Sequence, residues 1–126
     1  MTLDSVLGFE ALEVGPEVAR SRAEVADQHK QPFGLVHGGV FAAMAESIAS
    51  QATYAAVAGD GKIAVGMSNN TNFMRPILSG SVHAEALRRH AGSTTWVWDV
   101  EMSDDEGRLC ALSRVTIAVR PAPASR

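Results

Sequence analysis

Glu46 stands in an almost wholly apolar neighbourhood: Ala42, Ala43, Met44 and Ala45 precede it, and Ile48 and Ala49 follow. An ionised carboxylate in such company is costly unless it is paired or hydrogen-bonded. Ser50 lies four residues on and Thr53 seven, so helical spacing runs a thin polar stripe from Glu46 down one face. A carboxylate held this way can attack an electrophilic carbon or take a proton from water. Position alone is equally served by a carboxylate turned to solvent or satisfied inside a core. The residues ahead of it narrow the choice. Gly38 and Gly39 carry no Cβ, so a ligand can approach the backbone closely. They open a helix, whose free N–H groups and positive macrodipole end suit a polarised carbonyl or an anion. His37 and Gln31 stand in the same run, although a lone loop histidine is more often structural than catalytic and a Gly-Gly pair by itself says little.

The elements that must position these groups are legible from pattern. Residues 29–39 contain Pro32, Gly34, Gly38 and Gly39, which forbid regular structure through most of the stretch. Residues 40–58 contain no Gly and no Pro, and eight of the nineteen are Ala. Phe41, Met44, Ile48, Ala52 and Ala55 recur at helical spacing, and the remaining positions are nearly as apolar. A helix apolar almost all round is expected to be buried, and Gly59-Asp-Gly61 ends it.

The rest reads as strand. Residues 8–15 carry Phe9, Leu12 and Val14. Residues 18–27 alternate, with Ala19, Ala23 and Val25 on one face and Arg20, Arg22 and Glu24 on the other. Residues 63–75 place Ile63, Val65, Met67 and Phe73 on an apolar face. Residues 81–89, 94–103 and 109–120 follow, with Trp96, Trp98, Val100 and Met102 facing one way and a hairpin at 104–107. The tail 121–126 is expected to fray. The order is two strands, a helix and four strands, joined by connections short enough for antiparallel pairing. The fold class is therefore α+β: one long buried helix wrapped by a curved antiparallel sheet, in a single domain spanning 1–126. One sheet cannot enclose such a helix, so a second copy of the chain is the natural cover.

Composition sets outer limits. The chain has 126 residues, 46% of them apolar, and eleven Lys and Arg against fourteen Asp and Glu, for a net charge of −3. That disfavours a nucleic-acid partner. No apolar run approaches the roughly 18 residues of a membrane span. One cysteine, Cys110, and no visible secretory signal point to the cytoplasm.

The run Gln31-Pro-Phe-Gly-Leu-Val-His37-Gly-Gly39, followed by Ala45-Glu46-Ser-Ile-Ala-Ser50, resembles the hotdog-fold acyl-CoA thioesterases. Within them it is similar to the branch acting on aromatic acyl-CoA esters of hydroxybenzoyl or dihydroxynaphthoyl type. The stretches Asn69-Asn-Thr-Asn-Phe-Met-Arg-Pro76 and Gly107-Arg-Leu-Cys-Ala-Leu-Ser-Arg114 fit as well. The resemblance implies that Glu46 is the catalytic carboxylate, as nucleophile or general base, and that the Gly38 N–H polarises the thioester carbonyl. It implies that Gln31 and His37 orient the thioester or the water, and that Ser50 assists. Gly66 and Phe73 would touch substrate, with Arg75, His90, Gly92, Ser93 and Thr94 near the nucleotide and phosphates of CoA. Related hotdog families carry Asp where this chain has Glu46.

Gly38 and Glu46 are eight residues apart, roughly 12 Å along a helix, so one carbonyl carbon cannot lie within about 3 Å of both. Two antiparallel helices across a two-fold axis bring Glu46 of one chain opposite Gly38 of the other. The resemblance implies the same homodimer with shared sites, commonly within a homotetramer. No metal or redox cofactor is expected: the histidines and Cys110 show no ligand spacing. Phe33, Phe41, Met44, Met67 and Phe73 are the expected lining of an aromatic acyl pocket. A broad or short- and medium-chain thioesterase, a hotdog dehydratase and a non-catalytic acyl-CoA-binding domain are the rival readings.

Overall fold

A computed structural model describes residues 1–124. The strands and the long helix expected from pattern are present: β1 (Glu10–Val14), β2 (Val18–Glu24), α2 (Gly38–Val57), β3 (Lys62–Phe73), β4 (Ser81–Ala91), β5 (Thr95–Ser103) and β6 (Leu109–Pro121). A short helix α1 (Leu3–Leu7) precedes them. It was not expected, because a five-residue helix carries too little periodicity to be read. Its start is set by Thr2, whose hydroxyl accepts from the Ser5 N–H. Strand β2 ends at Glu24, and Asp27–His29 forms a 3-10 turn rather than more strand.

All six strands lie in one antiparallel sheet, in the order β1-β2-β4-β5-β6-β3. Helix α2 packs across one face. Between them lies the core: Phe41, Met44 and Ile48 from the helix against Trp98, Val100, Met102, Val115 and Ile117 from the sheet. The period-two reading of β5 is correct, since Trp96, Trp98, Val100 and Met102 are all buried.

In the single chain the helix is buried on its sheet-facing side, while Glu46, Gln51, Tyr54, Ala55 and Ala56 are exposed on the flank that the sheet leaves open. Three expectations need correction. Thr53 is not on the Glu46 stripe but faces the core, where it is fully buried. There its hydroxyl accepts from Trp98 Nε1 at 2.9 Å and donates to the Ala49 carbonyl at 2.8 Å.

In β3, Phe73 does not share a face with Ile63 and Val65. The register against β6 slips between Gly66 and Ser68, leaving Met67 as an extra, bulged residue. Parity therefore resets, and Gly66, Asn69, Thr71 and Phe73 pair opposite the buried positions Ile117, Val115, Ser113 and Ala111. Lastly, Pro121 does not fray. It pairs with Lys62 as the last residue of β6, and the Ala122 N–H bonds to the Gly61 carbonyl. Residues 125 and 126 of the expected tail lie outside the described residues.

Candidate active site

Helix α2 begins where the sequence said it should. His37 is its N-cap, and the ring Nδ1 accepts from the Gly39 N–H at 2.8 Å. One of the two glycine donors expected to be free is thus already used. The Gly38 N–H has no hydrogen-bond partner among the described residues, and it lies at the positive end of a twenty-residue helix. The Nδ1 of His37 being an acceptor, its Nε2 carries the proton and is a donor. A Cβ added at Gly38 would meet the Phe73 ring at 2.9 Å, so only glycine lets that ring seat against the backbone.

Glu46 lies two turns further along α2 and faces strand β3. Its carboxylate is held from that strand by a relay. Asn69 Nδ2 donates to the Ala42 carbonyl at 2.9 Å and reaches Glu46 Oε1 at 3.4 Å. Thr71 donates to Asn69 Oδ1 at 2.7 Å, and so must accept from the Ser113 hydroxyl, also at 2.7 Å. The relay fixes the Asn69 amide so that its nitrogen points at helix and carboxylate. Asn69, Thr71 and Ser113 were not picked out from sequence as site residues. A signal existed in the polar run 69–72 within a strand, whose inward positions carry Asn and Thr instead of apolar side chains. Gly66 lies under the same carboxylate: a Cβ there would come within 2.8 Å of Glu46 Oε2.

These groups border two cavities of about 540 Å³ each. One holds Glu46 with Ala42, Ala43, Asn69 and Thr71. The other holds Gln31, Gly38, Phe41 and Arg75. Phe73 borders both, and its ring packs tilted against Phe41 with centroids 6.3 Å apart. Gln31 Oε1 accepts from the Phe33 N–H, leaving its amide NH₂ free to donate into the second cavity. So Gln31, Gly38 and Arg75 come together, Glu46 and Gly66 come together, and one chain does not unite the two sets.

Other expected residues fall elsewhere. Ser50 is half-buried and lines neither cavity. Met44 is fully buried in the core and Phe33 is 86% exposed, so neither lines the Glu46 cavity. Met67 is exposed on the bulge. Gly92, Ser93 and Thr94 form the β4–β5 turn, with His90 near the end of β4, and the Thr94 carbonyl accepts from the Val119 N–H and from Arg120. Arg75 follows the end of β3 that pairs with Ala111. Those two parts of β6 are roughly 26 Å apart along the strand, so the turn and Arg75 do not meet within one chain. Through the Thr94 carbonyl, Arg120 caps this turn.

Cys110 is buried, its thiol pushed up by burial and by the nearby Asp104, as suits a core residue and not a nucleophile. Among the described residues no cluster of His, Cys, Asp and Glu has the makings of a metal site. Among the described residues no helix is long and apolar enough to cross a membrane.

A long helix opening at a glycine pair and laid across a six-stranded antiparallel sheet is the hotdog architecture, and its carboxylate and helix-start amide suit thioester hydrolysis. The thioesterase superfamily model matches residues 33–111, the stretch that holds Gly38, Glu46, Gly66, Phe73 and Arg75. The chain belongs to that superfamily and is a thioester hydrolase. It is 40% identical over 106 residues to the 1,4-dihydroxy-2-naphthoyl-CoA hydrolase of Escherichia coli, covering 84% of this chain and 77% of that one. It is 34% identical over 118 residues to the proofreading thioesterase EntH of Cronobacter turicensis, covering 94% and 85%. The crystal structure of a mutant thioesterase from Pseudomonas aeruginosa superposes with a TM-score of 0.91 at 36% identity, covering 95% of this chain and 86% of that one.

Proposed function

We propose that the protein hydrolyses aromatic acyl-CoA thioesters to free acid and CoA, in composite sites built by two chains. The observation that carries this is the division of the machinery: Glu46 and its Asn69 relay border one cavity, while Gln31 and the free Gly38 N–H border another. A second copy unites them. Strand β3 ends the sheet order and exposes twelve residues of unpaired edge, with Val65 and Met67 more than half exposed beside it. Such an edge invites pairing with a second chain. Antiparallel β3–β3 pairing lays the two α2 helices antiparallel on one face and brings Glu46 towards the partner subunit's Gly38. It also carries the β4–β5 turn towards the partner subunit's Arg75. His90, Gly92, Ser93, Thr94 and Arg75 then converge on the CoA phosphates. A homotetramer of two such dimers is the expected assembly, in the cytoplasm.

In that site the Gly38 N–H donates to the thioester oxygen and stabilises the negative charge that develops on it. The Gln31 amide and His37 Nε2 hold the carbonyl or the water. Glu46 attacks the carbonyl carbon and forms a mixed anhydride that water then hydrolyses, or it takes a proton from a water that attacks in its place; either way the C–S bond breaks, the sulfur leaves as CoA thiolate and takes up a proton, and the free acid is released with Glu46 restored. Ser50 assists from the next turn of the helix. The step balances with water alone and needs no metal or redox cofactor. Methylene-free, flat acyl groups suit the walls of Ala42, Ala43 and Phe73.

The test is CoA release followed with a thiol reagent over benzoyl-, hydroxybenzoyl-, phenylacetyl-, dihydroxynaphthoyl- and palmitoyl-CoA. An aromatic substrate is expected to exceed palmitoyl-CoA at least tenfold in kcat/KM, which asks about 1.4 kcal/mol of differential transition-state binding. Glu46→Ala should lower kcat about a thousandfold with the fold intact. Palmitoyl-CoA as the best substrate would overturn the aromatic assignment; a Glu46→Ala variant keeping a third of the activity would remove the carboxylate from its role.

A further inference from the structure

Helix α1 has no buried residue of its own, yet it is tied down at three points. Asp4 Oδ1 accepts from the Ser47 hydroxyl at 2.6 Å, across to α2. The Phe9 N–H bonds back to the Asp4 carbonyl at 3.0 Å. The Leu7 carbonyl accepts from His29 Nε2 at 2.6 Å. The last bond is directional: His29 Nδ1 takes the Ala26 N–H at 2.9 Å, so the ring proton must be on Nε2. His29 also holds the His37 N–H with its own carbonyl, at 2.8 Å. One buried residue, through its ring and its backbone carbonyl, therefore joins α1 to the loop that starts helix α2.

This fastening sits at a junction of two spaces. Leu3 borders the Glu46 cavity, the one lining residue there from outside α2 and β3. Asp4 instead borders a second cavity of about 230 Å³, between α2, β1 and β2. Ser47 borders both. The Asp4–Ser47 hydrogen bond thus lies on the boundary between them. The second cavity is real space with unspent bonding capacity: Ser21 lines it, and its buried hydroxyl has no hydrogen-bond partner among the described residues.

We infer that α1 is the specificity wall of the acyl pocket: Leu3 closes the pocket, and the Asp4–Ser47 pair partitions it from the cavity behind, setting the size limit of the acyl group. This rests on the Glu46 cavity receiving the acyl group, as proposed above. A compact acyl group fills the space up to Leu3. A longer one runs into the partition, beyond which room exists but is shut off.

The experiment compares kcat and KM for hexanoyl- and decanoyl-CoA in Asp4→Ala, Asp4→Asn and Leu3→Ala proteins. Asp4→Ala should raise the decanoyl-to-hexanoyl ratio of kcat/KM at least fivefold, through KM, with kcat for hexanoyl-CoA unchanged. Asp4→Asn, whose amide oxygen still accepts from Ser47, should keep the wild-type ratio within twofold. Leu3→Ala should raise KM for hexanoyl-CoA at least threefold. A ratio within twofold of wild type in Asp4→Ala overturns the inference, as does an equal shift in Asp4→Asn, or a fall in Tm with no change in ratio. Should the wild type turn over no acyl-CoA, the hydrolysis proposal fails by itself; the same ratios taken as Kd by isothermal titration then decide the role of α1.

Discussion

Gly66→Ala separates activity from stability more cleanly than any change to Glu46 itself. The Cβ it adds would stand 2.8 Å from Glu46 Oε2 and 2.9 Å from Cδ. No backbone atom is that close, and Gly66 does not occupy the left-handed region, so alanine meets no conformational strain. The carboxylate is the free end of a flexible side chain and must retreat by roughly 0.5 Å or more to reach ordinary contact distance. Rotating Glu46 costs little, and replacing glycine restricts the unfolded chain, a gain of about 0.4–1 kcal/mol. Tm should therefore stay within about 3 °C of wild type. Activity should not. The retreat takes Oε1 off Asn69, already at 3.4 Å, and misplaces the reacting oxygen by a distance that costs roughly 10- to 100-fold in kcat. CoA release measured beside a thermal melt tests this. A variant with kcat within threefold of wild type would refute the placement of Glu46 as the reacting group, and a loss of activity matched by a loss of Tm would refute the steric argument.

Thr53→Val keeps the shape but strips Trp98 Nε1 of its acceptor in a fully buried place; the unsatisfied donor costs about 1–3 kcal/mol, read as a Tm lower by roughly 4–12 °C, while Thr53→Ser should melt near wild type. Arg114 donates two hydrogen bonds to Asp99, at 2.7 and 2.9 Å, and holds its carboxyl below the ordinary aspartate value. A depressed carboxyl stabilises the fold above its unfolded pKa of about 3.9 and loses that contribution as pH falls through the lower folded value. Asp99→Asn should therefore cost about 1–3 °C in Tm at pH 7, a cost that shrinks as pH falls below about 3.9; an undiminished cost at acid pH would exclude the ion pair as the cause. Sedimentation at micromolar concentration should show a dimer or tetramer and no active monomer; a monomer that turns over acyl-CoA would overturn the composite site.

Much of the fold was legible because its signals are local. Trp96 to Met102 alternate over a regular strand, and residues 40–58 lack any helix breaker, so both elements are read directly. The separation of Gly38 from Glu46 within one chain was legible too, since helix rise alone forbids them from sharing a carbon there, and the two border different cavities. The Met67 bulge was not, because it is a property of the β3–β6 ladder and no residue type announces it. It turns Phe73 inward and so decides which residues wall the cavities. Thr53 was misplaced for a related reason: seven residues from Glu46 falls near the same face, but the Trp98 indole opposite captures its hydroxyl. The Ser113–Thr71–Asn69 relay joins two strands far apart in sequence, and α1 is too short for any periodic signal.

Phe73 touches both of the large cavities in its own chain. In the two-chain assembly proposed above those cavities would belong to different active sites, each site taking Glu46 from one chain and Gly38 from the other. A ring that turns to admit an acyl group at one site therefore changes the wall of the other. The two sites of a dimer would then be unequal as soon as one is filled. Such coupling shows as half-of-sites binding, one acyl-CoA held tightly per dimer and the second weakly. The same ring that shapes the pocket would then set the order in which two identical sites take turns.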